Sequence, residues 1–183
     1  MADDKVVSVP AAVAAVRWHE LPALALETAA VQVVVVPELG GKIVSLLDKR
    51  SGREWLLPPQ RAYAQGAARS TGFVEQDMSG WDECFPTINA CAYPAHGTHN
   101  GALLPDHGEV WSAAWAHDTD NADAIALSVQ GQALPYTLAR TMRVVGENTL
   151  RLEYEVVNTG AETLYALWAA HPQFVVDGAT RIV

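Results

Sequence analysis

The sequence predicts an all-β fold, a large antiparallel β-sandwich. Three observations carry that prediction. Short valine-rich or alternating apolar runs recur along the chain, clusters of Gly, Asn, Asp and Pro separate them, and sustained helical periodicity is scarce. With 183 residues, half of them hydrophobic and 18% charged, the chain can bury a sizeable core and is too apolar to stay disordered. Residues 1–183 read as a single sandwich domain.

Taken in order, Val7–Val16 is alanine-rich and is expected to form a turn or two of helix, interrupted by Pro10. Ala29–Val36 reads as a valine-rich strand that stops at Pro37, and Leu39-Gly-Gly41 supplies turn chemistry. Lys42–Leu47 resumes as a strand, and Asp48–Gly52 turns into Glu54–Leu57, a meander. From Pro58 to Pro105 the chain is rich in Gly, Pro, Ser, Asn and His, and reads as a long loop region. Strands are then expected at Val110–His117, Ala124–Gln130, Tyr136–Val145 and Thr149–Val157. In the last of these, Leu150, Leu152, Tyr154 and Val156 alternate with mostly charged neighbours, the period of a half-buried strand. Leu164–Ala170 is the final expected strand and leads to His171.

Composition removes several function classes. A net charge of −9 offers no basic stripe for nucleic acid or an anionic membrane surface. The acidic N-terminus lacks a secretory signature, and the longest apolar stretch is too short to span a bilayer. Two cysteines make no disulfide framework, so a cytoplasmic, reducing location is expected. No G-x-S-x-G elbow and no phosphate-cradling glycine pattern occurs, and Gly40-Gly41-Lys42 alone is not a P-loop.

Reactive groups concentrate in Gly80–Ile88, Cys91–His99, Leu104–Trp111 and the stretch around His171. The spacing of Cys84, Cys91, His96 and His99 matches no usual structural zinc pattern, and Asp106-His-Gly-Glu109 is a weaker metal clip still. No metal or other cofactor is expected. What remains is acid–base work by histidine and carboxylates beside aromatic rings. Trp81, Asp82, Glu83, His107, Glu109 and Trp111 would suit a polar–aromatic cleft for a sugar, with indole faces against the C–H face of the ring and polar groups on its hydroxyls.

The order of Gly40-Gly-Lys-Ile-Val-Ser-Leu46, Gly80-Trp-Asp-Glu-Cys-Phe-Pro86 and Asp106-His-Gly-Glu-Val-Trp111 resembles the aldose 1-epimerase (galactose mutarotase-like) superfamily. So does the later pairing of Leu150–Thr159 with Leu164–Phe174. The resemblance implies a large supersandwich that binds a sugar on its concave face. It assigns His171, in "AAHPQF", as the general acid that protonates the ring oxygen, and His107, in its H-G context, as a ligand of substrate hydroxyls. Trp81, Asp82, Glu83 and Glu109 are the accompanying substrate-binding candidates.

Members acting on hexose 6-phosphates place an arginine soon after the H-G pair. Here Glu109, Val110 and Trp111 follow, so a free sugar is expected. The mutarotase arginine of the early "GR-x-x-N-R" region is also missing, which implies a different hydroxyl pattern in the ligand. The family's glutamate base lies in a late segment without a counterpart before Val183, so the chain is expected to be the N-terminal part of a longer, C-terminally extended sandwich. An incomplete sandwich would expose sheet edges, and homodimerisation through them is expected. A non-catalytic carbohydrate-binding module, or an inactive fragment, is the competing reading.

Overall fold

The computed structural model describes residues 11–61, 72–94, 96–118 and 121–181. Among these residues the regular structure is strand, with three short 3-10 turns, and every named strand pair is antiparallel. A seven-stranded sheet holds β1 (Ala12–Trp18), β2 (Leu21–Glu27), β3 (Val31–Val36), β4 (Lys42–Asp48), β5 (Arg53–Glu54), β6 (Trp81–Cys84) and β13 (Ala169–Pro172). Its order is β1-β2-β3-β4-β6-β13, with β5 pairing on β4. A four-stranded sheet runs β12 (Thr149–Asn158), β11 (Tyr136–Val145), β10 (Ile125–Gln130), β9 (Ala116–Asp118). The small ribbon of β7 (Cys91–Ala92) and β8 (Leu103–Leu104) stands apart. No helix among the described residues is long and apolar enough to cross a membrane.

The two large sheets share one core. Leu26, Val33, Val35 and Ile43 from the first meet Ile125, Leu127, Leu138 and Met142 from the second, all at most 2% exposed. Burying each such side chain is worth about 1.5–3 kcal/mol. Alternation along the strands then places a second apolar group on the far face of the seven-stranded sheet: Leu21, Ala23, Val34, Val36, Leu39 and Val44.

Several sequence expectations need correction. The alanine-rich segment is no helix in its described part: Ala12–Trp18 forms β1, because pairing along the whole of β2 outweighs alanine's helix propensity. Residues 7–10 lie outside the described part. The region 58–105 is not uniformly loop, since it contains the central strand β6 as well as β7 and β8. Val110–His117 is not one strand. Val110–Ser112 is a 3-10 turn with Trp111 buried, closed by Trp115 Nε1 donating to the Val110 carbonyl at 2.9 Å, and only Ala116–Asp118 pairs, as β9. Leu164–Leu167 is not paired as a strand, so β13 starts at Ala169 and contains His171 rather than preceding it. The ladder ends there because Phe85, next along β6, bridges to Gly108 and accepts the Glu109 N–H instead.

Candidate active site

The site grows from a row of side chains across three strands. β4 and β6 pair at Ile43 and Trp81, so Lys42 and Asp82 fall beside one another. β6 and β13 pair Asp82 with His171. Residues directly opposite in antiparallel strands point to the same face, so Lys42, Asp82 and His171 line up on the face turned away from the second sheet. Lys42 Nζ donates to Asp82 Oδ2 at 2.6 Å, and to the carbonyls of Ser79 at 2.6 Å and Asp77 at 3.3 Å. Both ends of the pair are almost fully buried, at 6% and 1% exposure.

Above His171 stands an aromatic cluster. The Phe73 ring stacks on His107 at 4.0 Å and meets His171 edge-on at 5.2 Å. The two imidazoles are also 5.2 Å apart and perpendicular, and Trp111 packs edge-on against Phe73 at 5.1 Å. His107 Nδ1 lies 2.8 Å from Asp106 Oδ2, which orients the ring. Backbone geometry explains the H-G pair. His107 and Gly108 both have φ in the left-handed region, and a Cβ on Gly108 would collide with the Phe85 backbone. Glycine is therefore needed for the turn that brings His107 to Phe73.

Burial holds the His171 pKa below the ordinary imidazole value. The Asp82 carboxylate pulls it upward, while His107 and Lys42 push it down. The result is a half-buried imidazole flanked by a carboxylate on the neighbouring strand and a second imidazole.

The residues expected from sequence divide between two faces. His107, His171, Asp82 and Trp111 come together around Phe73 and Lys42. Trp81 and Glu83 alternate to the interior side. Trp81 packs on the core, and Glu83 is fully buried beneath three donors: Arg140 at 2.9 Å, Tyr154 at 2.7 Å and Trp168 at 2.9 Å. Glu109 also turns inward, accepting from the Gln132 and Ala133 N–H groups and from the Tyr136 hydroxyl at 2.8–3.0 Å. Phe73 and Lys42 were not singled out from sequence. Phe73 sits in an aperiodic stretch, whereas Lys42 did carry a signal, a single cation opening the apolar strand KIVSLL. Among the described residues no three His, Cys, Asp or Glu side chains gather as a metal site. Cys84 is buried and Cys91 exposed, both as free thiols.

A β-sandwich with a two-histidine cluster on one sheet face is thus the class of protein at hand, and known structures share its fold. The chain aligns with a galactose mutarotase related enzyme from Lactobacillus acidophilus at 16% identity and TM-score 0.65, covering 87% of this chain and 51% of that one. A galactose mutarotase-like protein from Lactobacillus casei aligns at 18% identity and TM-score 0.65, over 85% and 50%. Another from Clostridium acetobutylicum aligns at 14% identity and TM-score 0.65, over 93% and 55%. The chain therefore spans about half the length of these structures. No curated protein matches it. Residues 22–182 match the family described as aldose 1-epimerase, and the chain belongs to that family.

Proposed function

We propose that this chain carries the proton-donating part of an aldose 1-epimerase site for a free, non-phosphorylated sugar. The observation that carries the reading is the perpendicular pair His107–His171 on Phe73, with His171 half-buried. His171 gives its proton to the ring oxygen while a base takes the anomeric hydroxyl proton. The bond between the anomeric carbon and the ring oxygen breaks, the aldehyde rotates, and closure with the protons returned gives the other anomer. His107, oriented by Asp106, binds hydroxyls, and Phe73 and Trp111 keep the reacting edge out of water.

On this reading Asp82 lies at the floor of the site, and Trp81, Glu83 and Glu109 support it from the interior side. A free sugar suits a cluster whose nearby cation, Lys42, is already held by Asp82. Neither carboxylate beside the imidazoles is placed as the base. Asp82 is buried under Lys42, and Asp106 is taken up by His107. The base then comes from elsewhere than these residues. That arrangement is also what favours a second reading, sugar binding without turnover by this chain. We further place the protein in the cytoplasm, in keeping with its free thiols, and assign its open sheet edges to self-association.

Anomer interconversion followed by polarimetry or NMR tests the first reading. His171→Ala should lower the rate by roughly 10²- to 10⁴-fold, the usual contribution of a positioned acid. A variant with the wild-type rate would remove His171 from that role. Saturable sugar binding with no interconversion would support the second reading.

A further inference from the structure

We propose that Asp82, clamped by Lys42, is a positioning residue for His171: held on the strand beside the imidazole, its carboxylate keeps the ring able to carry a proton. This deepens, and rests on, the assignment of His171 as the acid. The register alone sets Lys42, Asp82 and His171 in one row across β4, β6 and β13. The Lys42 ammonium ties Asp82 Oδ2 and the Asp77 and Ser79 carbonyls together, so the carboxylate cannot swing away from the strand it faces. Asp82 lies on the strand directly beside His171, and its pull on the imidazole exceeds the push of the Lys42 ammonium it holds. A half-buried general acid needs this, because burial alone favours the neutral, proton-depleted form.

Among the described residues, His107 also faces His171 across the cluster, with its Nδ1 on Asp106 Oδ2, and the turn that carries Phe73 ends at Glu75. Just past the end of its own strand the neighbour is the Gln173 amide, 3.5 Å from His171 Nδ1.

The test is a pH titration of the His171 ring protons by NMR on the full chain, which needs no turnover. Asp82→Asn should move the midpoint below that of the wild type, and Asp82→Glu should bring it back toward it. Asp82→Asn leaves Lys42 buried without its counter-ion. Where that variant does not fold, the double variant Lys42→Gln/Asp82→Asn removes both charges and should still titrate lower, because the carboxylate's pull on the imidazole outweighs the ammonium's push. A folded Asp82→Asn or double variant with an unchanged His171 midpoint would overturn the proposal. Adding a free aldose then separates the two ideas. A His171 signal that no sugar perturbs counts against the sugar site, while the dependence of its midpoint on Asp82 stands or falls by the titration alone.

Discussion

Two histidines and two thiols define the chemistry available at single positions. Because His171 binds its proton less readily when folded than when unfolded, the unfolded chain holds more protons once the pH drops below the ordinary imidazole value of about 6.5. The sign follows: stability should fall as pH decreases through that value and level off below the lower, folded pKa. His171→Gln should flatten this part of the profile in urea unfolding at several pH values. An equally steep profile in the variant would assign the effect to other groups. The thiols should differ as sharply. Burial pushes Cys84 up to about 12, with Asp82 and Glu83 adding to the shift, whereas Cys91 lies in the open. An alkylating reagent at neutral pH should label Cys91 and leave Cys84 untouched until the protein unfolds, as mass spectrometry would read directly.

Strands β6 and β11 share a fully buried ion pair. β6 presents Asp82 to one face and Glu83 to the other, and Glu83 meets Arg140 of β11 with neither side chain exposed. Arg140 also donates to the Gly41 carbonyl, and Tyr154 and Trp168 complete the shell around the glutamate. Burial beside that carboxylate pushes the Tyr154 hydroxyl far up, so it stays a donor across the accessible pH range. Removing one partner of such a pair strands the other without water. Glu83→Ala should therefore cost about 3–5 kcal/mol in chemical denaturation. A loss below about 1 kcal/mol would mean that water reaches Arg140 in the variant. Lys42 and Asp82 are read less easily from sequence than Glu83 and Arg140 from structure. In GWDECFP two acidic residues stand side by side, and nothing local says which faces the core. The β6–β13 register decides it, and the partner strand lies some ninety residues away in the chain.

At the scale of the whole molecule, the described residues close the sandwich on one side and leave it open on the other. Along β11 the inward side chains Tyr136, Leu138, Arg140, Met142 and Val144 are at most 6% exposed. Their cross-strand neighbours on β12, Leu150, Leu152 and Tyr154, are only half-buried, and Val156 is 50% exposed. β12 and β13 are both edge strands, and Tyr165, Leu167, Phe174 and Val176 stand exposed near them. A cleft of about 440 Å³ lined by Val31, Leu46, Trp55, Leu150 and Phe174 runs into the core on this side. Uncovered apolar surface beside unpaired strand edges favours association. Light scattering should report species larger than a monomer for this chain. Val156→Lys with Leu167→Lys should shift it toward monomer, and a wild-type chain that stays monomeric at high concentration would refute the expectation.

The sequence by itself determined the all-β class, because period-two alternation and turn residues are local signals. It also placed the strands from Val31 onward wherever those signals are continuous, while His107 and His171 became candidates through the resemblance to the aldose 1-epimerase family. It left β2 and β6 unread and mistook β1, since Leu-Pro-Ala-Leu-Ala-Leu and Trp-Asp-Glu-Cys carry no decisive pattern until a partner strand lies beside them. Which carboxylate shares a sheet face with His171 was decided only in three dimensions. Adjacent residues on a strand face opposite ways, so the choice between Asp82 and Glu83 belongs to the register of β4, β6 and β13. That register brings Lys42, Asp82 and His171 into one row although more than a hundred residues of chain separate its ends.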